Sequence, residues 1–186
     1  MAKSNNITRV ERFFGDDEII VSKTDLKGRL IYVNKIFLTI ADYTEAEVIG
    51  QPHSMIRHPD MPRSIFKLLW ETIQDGREIF AYVVNRAKNG DHYWVLAHVT
   101  PSTDANGKII GYHSNRRVPN SKTIENVIKP LYTKIVAEEN KHSDRKAGLQ
   151  AGYQILTNLL RDRGIDYDQF VAELAAGNHD KQHKAA

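Results

Sequence analysis

The chain has 186 residues, 41% of them hydrophobic, with 26 basic and 23 acidic side chains for a net charge of +3, which suits about one core-bearing domain with an appendage. It has no cysteine, which excludes disulfides, thiolate catalysis and cysteine-ligated metals, and no one-sided basic stripe with interleaved aromatics, so no nucleic-acid partner is expected. Neither a signal-peptide core nor an apolar run near the ~20 residues of a membrane span is present, so a soluble, cytoplasmic protein in a reducing compartment is expected.

Ile7, Val10, Phe13 and Phe14 recur at helical spacing, and residues 1–16 are read as an N-terminal cap helix. Glu18 to Ser22 suits a buried strand, Asp25-Leu26-Lys27-Gly28 a turn, and Arg29 to Val33 a returning strand. Short helices follow. Asn34 is a candidate cap for the first, with Phe37, Leu38 and Ile40 on its apolar face. Thr44 and Glu47 have capping-box spacing, and Gly50 stops that turn. Ile-Arg-His-Pro-Asp-Met-Pro at 56–62 sets a cation, an imidazole and a carboxylate within four residues (Arg57, His58, Asp60). Beside a helix N-terminus such a cluster can hold a charged ligand. The same residues also serve as a plain start signal for a helix from Pro62 to Gly76, with Asp60 as its cap.

From Glu78 the hydrophobic period falls from 3.6 to 2. Strands are expected at Glu78–Arg86, His92–Ser102 and Lys108–Arg117, joined by Lys88-Asn89-Gly90-Asp91 and Asp104-Ala105-Asn106-Gly107. Tyr93, Val95, Ala97 and Val99 share one face of the middle strand, and His92, Trp94, Leu96 and His98 the other, so both faces should be covered. Strands at both ends with helices between them give an α+β fold, an antiparallel sheet with helices on one face. After Pro119 the pattern turns helical. Ser121 is read as a cap, Pro130 as a kink or split, Asn140–Asp144 as a break, Gly164 as a stop and Asp166 as the cap of a last helix. The divisions expected are therefore 1–16, a domain at 17–119, a helical extension at 120–176 and a disordered tail at 177–186.

These elements and motifs meet in one family. Ser22-Lys23-Thr24-Asp25-Leu26-Lys27-Gly28, Tyr32-Val33-Asn34, Tyr43-Thr44, Gly50-Gln51-Pro52-His53 and Lys88-Asn89-Gly90-Asp91-His92-Tyr93-Trp94-Val95 resemble a PAS domain over residues 17–118. The narrower string Arg57-His58-Pro59-Asp60-Met61-Pro62, with Phe66 and Trp70, resembles the FAD-binding PAS domain of bacterial aerotaxis receptors. The resemblance implies a PAS fold, a five-stranded antiparallel sheet cupping FAD against short helices, with the redox state of the flavin read out as a signal. It also implies Asn34, Arg57, His58, Asp60 and Asn85 as polar cofactor contacts, and Phe66 and Trp70 as pocket lining or support. Asn34 and Asn85 can each donate and accept at a flavin edge, and Arg57 can pair with a pyrophosphate. The chain departs from flavin-binding relatives at Ile79-Phe80-Ala81-Tyr82, where a Trp is usual, which leaves three readings: Phe80 or Tyr82 supplies the aromatic contact, the cofactor is bound differently, or it is absent.

No Gly-x-Ser-x-Gly elbow, phosphate-cradling loop or zinc-protease motif occurs, so an enzyme is not expected. The histidines lack metal-ligand spacing. The expectation is a cytoplasmic redox or oxygen sensor that binds FAD, forms a homodimer and signals through a partner protein, since no output domain is recognisable. Two alternatives stand beside it. One is a cofactor-free module that dimerises or docks through the Trp94/Leu96 face. The other is a haem-based gas sensor with His58 or His53 as axial ligand.

Overall fold

The computed structural model describes residues 7–177. Its elements are β1 (Ile20–Thr24), β2 (Leu30–Val33), α1 (Lys35–Ala41), α2 (Glu45–Val48), a 3₁₀ turn (His53–Ile56), α3 (Arg63–Gln74), β3 (Ile79–Arg86), β4 (His92–Thr103), β5 (Ile109–Arg117), α4 (Ser121–Thr123), a π turn (Ile124–Ile128), α5 (Lys129–Lys141), α6 (Arg145–Arg163) and α7 (Tyr167–Ala175). They fall into two compact units. One comprises the chain up to Pro59 together with Trp70–Val118, and the other Asp60–Leu69 together with the chain from Pro119 onward.

The first unit is the expected five-stranded antiparallel sheet, in the order β2-β1-β5-β4-β3. Register decides which side chains share a face. Asn85 lies opposite Tyr93, Val83 opposite Val95 and Ala81 opposite Ala97. Ala97 in turn faces Arg116, and Val99 faces Ser114. Arg116 then faces Ile20, and Ser114 faces Ser22. Because directly paired residues point to the same side, one face carries Ile20, Ser22, Ala81, Val83, Asn85, Tyr93, Val95, Ala97, Ser114 and Arg116. This is the inner face. His53 reaches Ser22 and Arg116 on it, and Trp70 meets Tyr112 edge-on at 5.4 Å. On the outer face Tyr82, Val84 and Trp94 are buried as well, whereas Phe80 is 41% exposed and stacks on the His98 ring at 4.1 Å.

Local chemistry explains most boundaries. The Asp25 carboxylate accepts from the Lys27 and Arg29 N–H groups, both at 2.8 Å. Gly28, at φ +74°, completes that turn, and a β-carbon there would come 3.1 Å from the Trp70 ring, so glycine answers both a left-handed backbone and a close approach. The Thr44–Glu47 capping box forms as expected.

The leading segment departs from expectation. Residues 7–16 contain no helix: Thr8 N–H donates to Gly90 O, His92 N–H to Val10 O and Arg12 N–H to His92 O, so the segment runs extended beside the start of β4. Residues 1–6 of the expected cap helix lie outside the described residues. A short helix is marginal by itself. The start of β4 extends past its pairing with β5 and offers unmet backbone groups, which a strand satisfies. Asp91 fixes the arrangement, accepting from the Thr8 hydroxyl at 2.6 Å and from Arg12 Nε at 2.8 Å. The Thr8 hydroxyl, then Arg12 and Asn89, hold the Asp91 carboxyl down at about 2.

In the second unit α6 packs against α5 through two glycines four residues apart. A β-carbon on Gly148 would lie 2.3 Å from the Glu139 carbonyl oxygen, and one on Gly152 would lie 2.5 Å from Glu139 Cγ. Small residues at this spacing let two helix backbones approach closely. Pro130 does not split its helix. Lacking an N–H for the carbonyl four residues back, it follows a wider π turn in which Lys129 N–H reaches Ile124 O. Asn120 rather than Ser121 caps this helical run, accepting from Thr123 N–H at 3.1 Å. Gly164 and Asp166 stop and start the last two helices as their spacing predicts. Of the expected tail, residues 178–186 lie outside the described residues.

The start of α3 belongs to this unit, and it corrects the sequence reading. Asp60 is exposed and does not begin the helix at Pro62. The helix begins at Arg63, and its first amides are capped from 76 positions away: Glu139 accepts from Arg63 N–H at 3.0 Å, Arg63 Nε at 2.9 Å and Ser64 N–H at 2.8 Å. An anion at the positive end of a helix dipole, joined to an arginine, is stabilising. This anchor draws Asp60–Leu69 out of the contiguous 17–119 domain and groups it with the helices.

Candidate functional site

The inner face of the sheet carries an unusual density of buried polar groups. Asn85 is 3% exposed, Arg116 3% and Tyr93 0%. Asn85 Nδ2, Tyr93 Oη, Ser114 Oγ and Arg116 Nη1 are buried without a hydrogen-bond partner. Such groups cost about 1–3 kcal/mol each when unsatisfied. Several of them share this one face.

Each is delivered by register. Asn85, one residue before the end of β3, faces Tyr93 near the start of β4, and the backbone of Arg57 bridges to Asn85 in antiparallel fashion. The Arg57-His58 segment thus lies along the end of β3. His58 is 4% exposed, with its ring 5.6 Å from that of His92. Arg116 donates from Nη2 to Ser22 Oγ at 2.7 Å and to His53 Nε2 at 2.5 Å, and its guanidinium lies 5.8 Å from the Phe37 ring. No carboxylate is among these partners.

Burial, then the charges of Arg116 and Arg57, push the His53 pKa down to about 3, so the ring is neutral and Nε2 accepts while Nδ1 keeps the proton. Burial lowers the Arg116 pKa, yet a guanidinium stays charged at neutral pH. Burial also raises the Tyr93 pKa, while Arg116 acts on it in the opposite direction. The phenol is therefore a neutral donor.

The sequence-predicted site divides. Arg57 and Asn85 are joined by a backbone bridge, whereas the neighbouring His58 ring lies against His92, which alternates with Tyr93 along β4. Asn34 does not join them: its side chain accepts from Val21 N–H at 3.0 Å and Phe37 N–H at 3.1 Å and donates to Ile19 O at 2.7 Å. That amide is committed to backbone, tying β1 to α1. Trp70 packs on Tyr112 and beside Gly28. Tyr112 pairs with Pro101, eight positions along β4 from Tyr93, roughly 25 Å at ~3.3 Å per residue, so Trp70 supports the far end of the sheet. Asp60, exposed, and Phe66, half-buried, group with the second unit. Neither Phe80 nor Tyr82 lies on the inner face; that face of β3 offers Ile79, Ala81 and Val83. His53 Nε2 is engaged by Arg116 and Ser22, which occupies the lone pair an axial haem ligand would use.

Sequence reasoning did not single out Tyr93, Ser114 and Arg116, the other buried polar groups of this face. Their even spacing along β4 and β5 was legible, but which parity faces inward depends on register. Among the described residues no group of three or more metal-ligating side chains is placed to hold an ion, and no helix is long and apolar enough to cross a membrane.

Comparison with known proteins agrees with this architecture. The PAS fold family matches residues 30–116. The aerotaxis receptor of Escherichia coli (strain K12) is 39% identical over 132 residues, 71% of this chain and 26% of the receptor. The chain therefore spans about a quarter of that relative's length. The PAS domain of a Colwellia psychrerythraea protein superposes with a TM-score of 0.50 at 23% identity, covering 54% of this chain and 85% of that one. A light-oxygen-voltage domain from a study using a flavin analogue superposes with a TM-score of 0.53 at 18% identity, covering 67% and 87%. Residues 30–116, which hold most of the five-stranded sheet, form a PAS domain, and the chain is similar in sequence to the aerotaxis receptor.

Proposed function

We propose that this protein is a cytoplasmic redox or oxygen sensor that binds FAD at the inner face of its PAS sheet and relays the redox state of the flavin to a partner protein, itself acting as a homodimer and not as an enzyme. One observation carries the reading: Asn85 Nδ2, Tyr93 Oη and Arg116 Nη1 are buried on a single sheet face with unmet hydrogen-bonding capacity. These donors suit the carbonyl and ring-nitrogen edge of a flavin, and Ala81, Val83, Val95 and Ala97 on the same face supply a flat apolar wall. FAD, when bound, supplies a ring whose charge and proton count change on reduction. Asn85, Tyr93 and Arg57 would hold the polar edge and His58 would support them. Reduction of a bound flavin would alter what Asn85 and Arg116 bond, and a ligand shifts a protein equilibrium only through such differential contacts. The helices from Ser121 to Ala176 would carry the change onward.

The test is the visible spectrum of the purified protein, before and after dithionite. A flavin spectrum that bleaches on reduction, or develops after adding FAD, is expected. A colourless protein that takes up no flavin overturns the reading, and an intense haem band that survives in His53→Ala and vanishes in His58→Ala would replace it. The Trp94 docking alternative has less support, because Trp94 is already 6% exposed within one chain.

A further inference from the structure

The most expensive group in the sensor sheet is Arg116. It is 3% exposed, its partners are two neutral groups, Ser22 and the uncharged His53, and Nη1 has no hydrogen-bond acceptor. Removing a cation from water costs several kcal/mol unless an anion and further hydrogen bonds offset it. Ser22 and His53 fix the direction of the guanidinium without neutralising it, and the Phe37 ring adds only a weak cation–π attraction. The contrast with Arg12 and Arg63, which sit on the carboxylates of Asp91 and Glu139 at 2.8 and 2.9 Å, shows that this chain supplies carboxylates to part-buried arginines elsewhere.

We propose that Arg116 is the anion seat of the inner face: held by Ser22 and His53, it takes the negatively charged part of the bound ligand. Resting on the flavin reading, this assigns the missing counter-charge to the cofactor, whether to its phosphates or to its ring system. Tyr93 and Asn85 then act as neutral donors beside the seat. Arg57, whose charge also bears on His53, adds to the positive potential there.

The test uses the full chain as wild type, Arg116→Lys and Arg116→Met, each stripped of flavin. If Arg116 awaits an anion, the ligand-free Arg116→Met protein melts at or above wild type, because an uncompensated buried charge is gone. Its FAD affinity, followed by flavin fluorescence, falls about tenfold or more, and Arg116→Lys keeps much of it. Riboflavin separates the sources. Affinity lost for FAD but not riboflavin places the charge on the phosphates; equal loss for both places it on the ring. If ligand-free Arg116→Met melts well below wild type, Arg116 is a structural tie and the proposal fails, whatever happens to affinity. Unchanged FAD affinity in Arg116→Met also overturns it. If wild type binds no flavin at all, the flavin reading falls separately. The seat is then judged by the ligand-free melting comparison together with pyrophosphate, which must raise the melting temperature of wild type and not of Arg116→Met.

Discussion

Glu139 in the helical unit and Arg116 in the sheet unit are both almost wholly buried ions, and the protein treats them in opposite ways. Glu139 is complete: two backbone N–H groups and the Arg63 Nε converge on its carboxylate, while Arg63 Nη2 reaches its own carbonyl at 2.9 Å. Arg116 is half complete, with a hydroxyl, an imidazole and no anion. Glu139 thus ties two elements together, whereas Arg116 keeps an unmet donor. Glu139 explains how this chain holds the start of α3, and Arg116 is the observation behind the proposed anion seat of the sheet.

The largest effect expected is on the joint. Glu139→Ala strands Arg63 and two helix amides, and should cost about 3–5 kcal/mol, read as a lower urea midpoint and loss of helical circular dichroism. Glu139→Gln keeps an acceptor and should lose less; equal losses would mean that charge is irrelevant there. Next is Gly152→Val. Its side chain meets Glu139 Cγ and Ile135 Cγ2, so about 1–3 kcal/mol is expected from overpacking, and an unchanged melting temperature would show that α5 and α6 can separate without loss.

Asn34→Ala tests whether the sheet unit, where its polar groups are satisfied, behaves like the helical one. Losing a helix cap and its bonds to β1 should cost about 1–2 kcal/mol, measurable by denaturation, with flavin binding altered only as far as folding is. If flavin affinity collapses while stability holds, Asn34 contacts cofactor after all.

The smallest effect concerns pH. His53 keeps its neutral form in the folded protein, held down to about 3 from an ordinary 6.5 by burial and by the cations of Arg116 and Arg57. The unfolded chain thus binds this proton first as pH falls. Its contribution is full above about pH 6.5 and drains between there and about 3. Because the ring is part-exposed, roughly 1–2 kcal/mol is at stake. Melting curves across that range should be flatter for His53→Gln, and parallel curves would show that His53 is not protected.

Much of the fold was legible because its determinants are local. The change of hydrophobic period at Glu78, the Asn-Gly turn, the Thr44/Glu47 box and the Asp166 cap each involve residues within a few positions of one another, and all appear in place. Of the site, Arg57, His58 and Asn85 came from motif likeness, while Asn34 was read both as a helix cap and as a cofactor contact, and the structure shows the cap, because an amide that caps a helix and an amide that binds a ring look alike in sequence. The leading segment failed for a related reason: four apolar residues at helical spacing cannot outweigh an open strand start at His92.

The sequence by itself determined the strand and helix order, the turn positions, the PAS likeness and the absence of cysteine chemistry, since propensity, capping and turn geometry act over a few bonds. Only tertiary structure decided that Glu139 caps a helix 76 residues away, that Tyr93, Asn85 and Arg116 share one face, and that Arg116 lacks an anion. Those outcomes depend on strand register and on desolvation, which are properties of many residues packed together and are carried by no single stretch of chain.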